Sequence, residues 1–171
     1  LISSYGLGDK FEGITIDVPP GIVIGTDVFD DFIKYNNLGE LVYECEDDAL
    51  LRKRFLEAKF FPEEIREALR SFLQLTDVPL SVRSSSLMED SQYHPFAGVY
   101  DTYMIPNNES NIVERLENLL STIKLVFAST YYNASKEYFK MTSHSIEEEK
   151  MAVIIQKMVG EKHSYRFYPD I

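Results

Sequence analysis

An α+β fold, arranged as small lobes, is predicted by two features of this chain. Short β-branched runs bounded by Pro and Gly alternate with longer stretches whose apolar residues recur at helical spacing. Several strand candidates also stand close enough to pair as hairpins, so strands and helices mix within one arrangement. With 171 residues, 44% apolar and 13% aromatic, the chain can bury the core of one domain or of two small lobes.

Val18-Pro19-Pro20-Gly21 is a stop signal, and the β-branched Ile22-Val23-Ile24 that follows, bounded by Gly25, reads as a buried strand. Thr26 is expected to cap a helix whose inward face is Val28, Phe29, Phe32 and Ile33, with Asp27, Asp30 and Asp31 in its first turns. A second helix is expected from Asp47 to Lys59. A third starts at Pro62, whose missing N–H costs nothing at a first helical position, and Glu63 and Glu64 suit that positive end. Val78 to Val82 reads as a strand, a loop carrying Arg83 and three serines follows, and Val99 to Ile105 alternates like another strand.

From Glu109 to about Lys140 the pattern is helical, with Ile112, Leu116, Leu119, Leu120, Ile123, Val126 and Phe127 in one broad stripe. The aromatics of the following "FASTYYNASKEYF" fit a packed core. Met151 to Val159 is strand-like, and His163 to Tyr168 is the expected antiparallel partner across Gly160.

The charge narrows the partners. With 17 basic against 28 acidic residues, the formal charge of −11 argues against nonspecific binding of nucleic acid or of an anionic membrane, since both need a basic face to displace counterions. A polyanionic ligand would require a local basic site. No apolar run approaches the roughly 20 residues of a membrane span, and Leu1 opens a stretch unlike a secretory signal, so a cytoplasmic setting is expected. The single Cys45 excludes an internal disulfide and a multi-cysteine zinc cluster, and reads as an ordinary thiol. A start at Leu1 fits processing and also fits a piece cut from something longer.

Arg83 is the candidate for that local site. A guanidinium presents planar, permanently charged donors that match phosphate oxygens. Ser84, Ser85 and Ser86 add hydroxyls, and Ala97-Gly98 allows backbone N–H groups close to a ligand. A structural ion pair of Arg83 with Glu89 or Asp90 would explain the same residues, and composition does not separate the two readings.

The order of the whole stretch adds a resemblance. Val82-Arg83-Ser84-Ser85, Glu89-Asp90, Phe96-Ala97-Gly98 and Asp101-Thr102-Tyr103 are similar to the loops of the nucleotide-binding domain of the phosphoenolpyruvate synthase and pyruvate phosphate dikinase family. Glu89 stands six residues after Arg83, and five residues separate Asp90 from Phe96, as in that family. The upstream "VPPGIVIGTDVFDDFI", the helical "LLSTIKLVFASTYYNASKEYF" and "MAVIIQKMV" agree in order, so the resemblance runs from about Val18 to Val159.

The resemblance implies a partial ATP-grasp fold, in which two α+β lobes hold ATP between them. It implies that Arg83 grips phosphate, that Gly98 approaches the phosphates through its backbone, and that Thr102 lies near them. Gln156, Met158 and Val159 would line the adenine side, although spacing alone favours an ordinary buried strand with an exposed Gln156 and Lys157. Residues 1–171 would then be one incomplete domain without an internal boundary, truncated at both ends relative to the family. In that family ATP phosphorylates a histidine on a separate swivelling domain, which passes the group to pyruvate on a pyruvate-binding domain.

None of the three histidines here fits that carrier role: His144 in "TSHSIEEE" lacks the expected flanking residues, His94 falls between Glu89-Asp90 and Phe96, and His163 reads as a hairpin residue. The family's early glycine-lysine motif has no convincing counterpart, Lys10 being a poor substitute, and the ligands for Mg2+ are expected after Ile171. This fragment alone is therefore expected to be inactive, because phosphoryl transfer needs metal and electrostatic clamping. Ser85 favours the synthase over the dikinase. Dikinase-like chemistry on another acceptor, a non-catalytic nucleotide sensor and a scaffold remain alternatives, and oligomeric state is not legible.

Overall fold

The computed structural model describes residues 18–86, 88, 98–142, 144–164 and 166–168. Among these residues the order opens with strand β1 (Gly21–Ile24) and helices α1 (Thr26–Tyr35), α2 (Gly39–Glu44), α3 (Asp48–Glu57) and α4 (Glu63–Gln74). Strands β2 (Leu80–Ser86) and β3 (Thr102–Ile105) precede the long helix α5 (Ile112–Ser129) and the shorter α6 (Asn133–Lys140). A 3-10 turn over Ile146–Glu148 leads into β4 (Met151–Lys157), and β5 (Glu161–His163) with β6 (Arg166–Tyr168) completes the order. Helices and antiparallel strands thus mix, as an α+β fold requires.

Four strands form one antiparallel sheet in the order β1-β4-β2-β3, and β5 with β6 forms a separate two-stranded sheet. Strand alternation decides which side of the larger sheet is dry. Leu80, Val82, Met151, Val153 and Ile155 are fully buried, on the face against which α1 and α5 pack. Phe127 of α5 stands 5.1 Å from Phe29 and 5.5 Å from Phe32 of α1, ring centroid to ring centroid, and Phe32 reaches Phe55 of α3 at 5.7 Å. Each such ring, taken fully out of water, contributes about 1.5–3 kcal/mol, so this aromatic cluster welds the three helices together.

Side chains close the helix ends where sequence alone left gaps. Asp47 accepts from the backbone N–H groups of Ala49 and Leu50, at 2.9 and 3.1 Å, and caps α3. Asn111 does the same for α5 through Val113, at 2.9 Å. At the other end of α3 the Lys124 ammonium donates to the Ala58 carbonyl at 2.8 Å, a cation placed at the negative helix terminus.

Several expectations are corrected. Thr26 is the first helical residue rather than the cap, which is Gly25 without a side-chain bond. The second expected helix is shorter, running Asp48–Glu57, and α2 was not foreseen because its six residues are too few to show a period. Pro62 is the N-cap of α4. The helical stretch after Glu109 breaks between Ser129 and Asn133, where Tyr131 is buried among the aromatics. The residues after Gly160 pair with one another, His163 opposite Arg166, and not with β4, whose two edges are already occupied by β1 and β2.

Candidate functional site

The largest correction concerns the serine run. Arg83, Ser84, Ser85 and Ser86 lie in strand β2, which continues through them instead of giving way to a loop after Val82. Because successive side chains of a strand point to opposite faces, the run splits. Ser84 and Ser86 are 8% and 6% exposed, on the packed face with Val82, whereas Arg83 is exposed and Ser85 half-buried on the other.

Register then brings the candidates together. Arg83 pairs with Thr102 of β3 on one side and Ile154 of β4 on the other, and Ile154 pairs with Val23 of β1. The neighbouring row runs Gly21, Gln156, Ser81, Met104. Directly paired residues lie about 4.5–5.5 Å apart between Cα atoms, so Arg83 and Thr102 are adjacent, and Gln156 stands one row away on the next strand. Val23 and Met104 are 68% and 64% exposed, which leaves apolar side chains on an open face beside the guanidinium. Among the described residues Arg83 has no ion-pair partner. Its alternative partners Glu89 and Asp90 lie outside the described residues.

Gln156 donates from its side-chain nitrogen to the Pro19 carbonyl at 3.1 Å, which fixes the amide and leaves its oxygen as an acceptor. Met158 donates its backbone N–H to the Pro79 carbonyl at 2.9 Å, extending the β2–β4 ladder past the end of β4, and Val159 beyond it is 64% exposed. Gly98 has φ 82°, and a Cβ there would meet nothing within 4 Å among the described residues. That left-handed angle asks for glycine with or without a ligand nearby.

Asp101 is engaged locally: the Tyr103 hydroxyl donates to its Oδ2 at 2.6 Å, and its own backbone N–H donates to Ser129 Oγ at 3.2 Å. Burial, then the hydrogen bond to Asp101, pushes the Tyr103 hydroxyl well above the ordinary tyrosine range. A phenol held that way is a fixed donor, not an acid at neutral pH.

Cavities of about 250, 310 and 410 Å³ open elsewhere, around Asn107 and Arg115, around His144 and Lys136, and around Asn36 and Arg54. None of these three is lined by Arg83, Thr102 or Gln156, which stand exposed or half-buried on the sheet face. His144 is exposed, with its backbone N–H donating to Thr142 Oγ1 at 3.2 Å, and His163 lies in β5. His94, Lys10, Phe96 and Ala97 lie outside the described residues. The described residues hold no group of three or more His, Cys, Asp or Glu that could bind a metal ion, and none of their helices is long and apolar enough to cross a membrane.

Sequence reasoning missed Val23, Ser81, Met104 and Ile154 on this face. The signal was present: Leu80, Val82, Ser84 and Ser86 share one parity in "LSVRSSS", which puts Ser81, Arg83 and Ser85 on the other.

The profile of the pyruvate phosphate dikinase AMP/ATP-binding domain family matches residues 4–164. Among curated relatives, the uncharacterized phosphotransferase YvkC of Bacillus subtilis is 28% identical over 87% of this chain and 17% of its own length. The phosphoenolpyruvate synthase of Aquifex aeolicus is 28% identical over 90% of this chain and 20% of its own. The prodigiosin synthesizing transferase PigC of Serratia marcescens is 30% identical over 84% of this chain and 15% of its own. The chain thus spans 15–20% of the length of these curated relatives.

Proposed function

From the membership of this chain in the pyruvate phosphate dikinase AMP/ATP-binding domain family, we propose that it is the ATP-binding part of a phosphotransferase that makes phosphoenolpyruvate from pyruvate. The observation that carries the site assignment is the placing of Arg83, Thr102 and Gln156 on one open face of the four-stranded sheet. Arg83 would hold phosphate oxygens with its planar donors, Thr102 would add a hydroxyl beside it, and the Gly98 amide would approach from the preceding turn. Gln156, Met158 and Val159 would border the base, with Val23, Ile154 and Met104 as the apolar platform such a site needs.

In this reading the four-stranded sheet and its helices are one α+β lobe of an ATP-grasp fold, and residues 1–171 are part of a single domain. The phosphoryl group would pass to a histidine on a swivelling domain and from there to pyruvate on a further domain of the parent enzyme. Mg2+ belongs to the proposal, with its ligands proposed outside this chain; the described residues hold no group of three or more His, Cys, Asp or Glu for it. The test is turnover by the full-length enzyme. ATP-dependent conversion of pyruvate to phosphoenolpyruvate, lost in Arg83→Ala, supports the reading, and ATP consumption that never phosphorylates pyruvate removes the acceptor from it.

A second acceptor has a specific observation behind it. One relative of comparable identity is named as a prodigiosin synthesizing transferase and another simply as a phosphotransferase. The donor site is therefore better supported than pyruvate, and a screen of acceptors against the ATP-dependent half reaction separates the two.

A further inference from the structure

A buried carboxylate bonds to a buried hydroxyl at the end of the sheet where β2 stops. Tyr100 and Glu149 are each 5% exposed, and the Tyr100 hydroxyl donates to Glu149 Oε1 at 3.0 Å. Tyr100 stands two residues before Thr102, the partner of Arg83, and Glu149 two residues before Met151, the partner of Ser86. Since β2 runs between β4 and β3, this bond joins the approaches to the two strands that flank it. A carboxylate at such depth is expensive to desolvate, and an apolar residue would fill the same space more cheaply. The bond is directional, so it orients the two groups it joins.

What it directs is the turn leading into β3. Tyr100 is held by its side chain, and Asp101 by its backbone N–H on Ser129 Oγ, whose own hydroxyl donates to the Val126 carbonyl of α5 at 2.7 Å. Gly98, two residues upstream, is exposed and takes its positive φ from the same turn.

We propose that Glu149 is a positioning residue for nucleotide binding: through Tyr100 it fixes the Gly98–Asp101 turn, and so the reach of the Gly98 amide and the Thr102 hydroxyl relative to Arg83. The inference rests on the nucleotide-site reading above. A turn ordered before ATP arrives does not have to be ordered by it, which is affinity gained without any new contact. Glu149 itself touches no part of the nucleotide in this arrangement.

The test is titration of this chain with ATP at millimolar concentrations, followed by NMR, in the parent and in Tyr100→Phe, Glu149→Ala, Glu149→Gln and Arg83→Ala. Tyr100→Phe and Glu149→Ala should weaken ATP binding by the folded protein at least about threefold and speed hydrogen exchange at the Asp101 amide. Glu149→Gln, which keeps an acceptor for the hydroxyl, should stay within about twofold of the parent. If Glu149→Ala does not fold, Tyr100→Phe, which removes a single oxygen, carries the comparison. Lower melting temperatures with unchanged affinity would make the pair merely structural and overturn the proposal. If Arg83→Ala weakens binding while Tyr100→Phe does not, the positioning role fails and the site reading survives. If Arg83→Ala has no effect, or the parent binds no ATP, both fail.

Discussion

Arg83 and Thr102 stand directly opposite each other on β2 and β3, side chains on the open face of the sheet. A cation and a hydroxyl held side by side by backbone pairing would form the two-point phosphate grip of the proposed site. The grip depends on the planar fork of the guanidinium, so Arg83→Lys, which keeps the charge and loses the fork, should lower kcat/KM for ATP in the full-length enzyme about tenfold, roughly 1.4 kcal/mol. Activity equal to that of the parent would return Arg83 to a structural role.

The openness of that face sets the affinity of the chain alone. Typical small-ligand sites bury about 70–90% of the ligand surface, whereas the described residues offer ATP one sheet face without a covering wall. Calorimetric titration of the isolated chain should therefore give a Kd no tighter than about 0.1 mM, since a few contacts must offset the entropy of capture. Micromolar binding would require more contacts than the described residues of this face offer, and would overturn the expectation of a weak, incomplete site.

How much of this was legible in the sequence follows from which signals are local. The helical stripe from Ile112 to Phe127 is a repeat within one element, and those residues are indeed the buried or half-buried side of α5. The strand status of Arg83 to Ser86 is not local in the same sense. Serine has weak strand preference, and pairing with Met151 to Ile154, joined at Arg83 by Thr102, holds these residues extended. The same holds for the site: Arg83, Thr102 and Gln156 can be named one by one along the chain, but their common face depends on register across three strands. Gly160 misled because a glycine after a strand reads as a hairpin turn, whereas β4 already had neighbours on both edges.

Gly98 tests backbone and ligand separately. At φ 82° any side chain opposes the left-handed angle, a cost of about 1–2 kcal/mol for an ordinary residue. Gly98→Ala should lower stability by about that amount or open the turn locally, while Gly98→Asn, a residue that tolerates this region, should cost less. If ATP also approaches the Gly98 amide, both variants should weaken ATP binding by the folded protein, as any Cβ would enter the free space there. Thermal melting and titration on the same samples decide, and Gly98→Asn with parental affinity would remove Gly98 from the site.

Alkaline stability probes the aromatic core through Tyr131. It is 3% exposed, stacked on Phe29 at 6.0 Å and edge-on to Tyr43 at 5.8 Å. Burial, followed by the charge and hydrogen bond of Tyr43, raises its hydroxyl far above the ordinary tyrosine value. The sign follows from proton counting. Below the unfolded value of about 10 both states hold the proton, so Tyr131 adds no pH dependence. Above it the unfolded chain releases a proton that the folded chain retains, so stability falls as pH rises, by about 1.4 kcal/mol per pH unit for each such proton. Tyr103 and Tyr132, also raised by burial first, act in the same direction. Lys124 and Lys136, lowered by burial, oppose them between their lowered values and 10.5, where the unfolded chain binds the extra proton. Tyr131→Phe keeps the ring and removes one titrating hydroxyl. Urea unfolding followed between about pH 10 and 11.5 should show the downward slope reduced by about one proton in the variant, whatever its stability at neutral pH. Identical slopes in the two proteins would mean that Tyr131 ionises as freely folded as unfolded, and that the ring cluster at the junction of α1, α3 and α5 admits water.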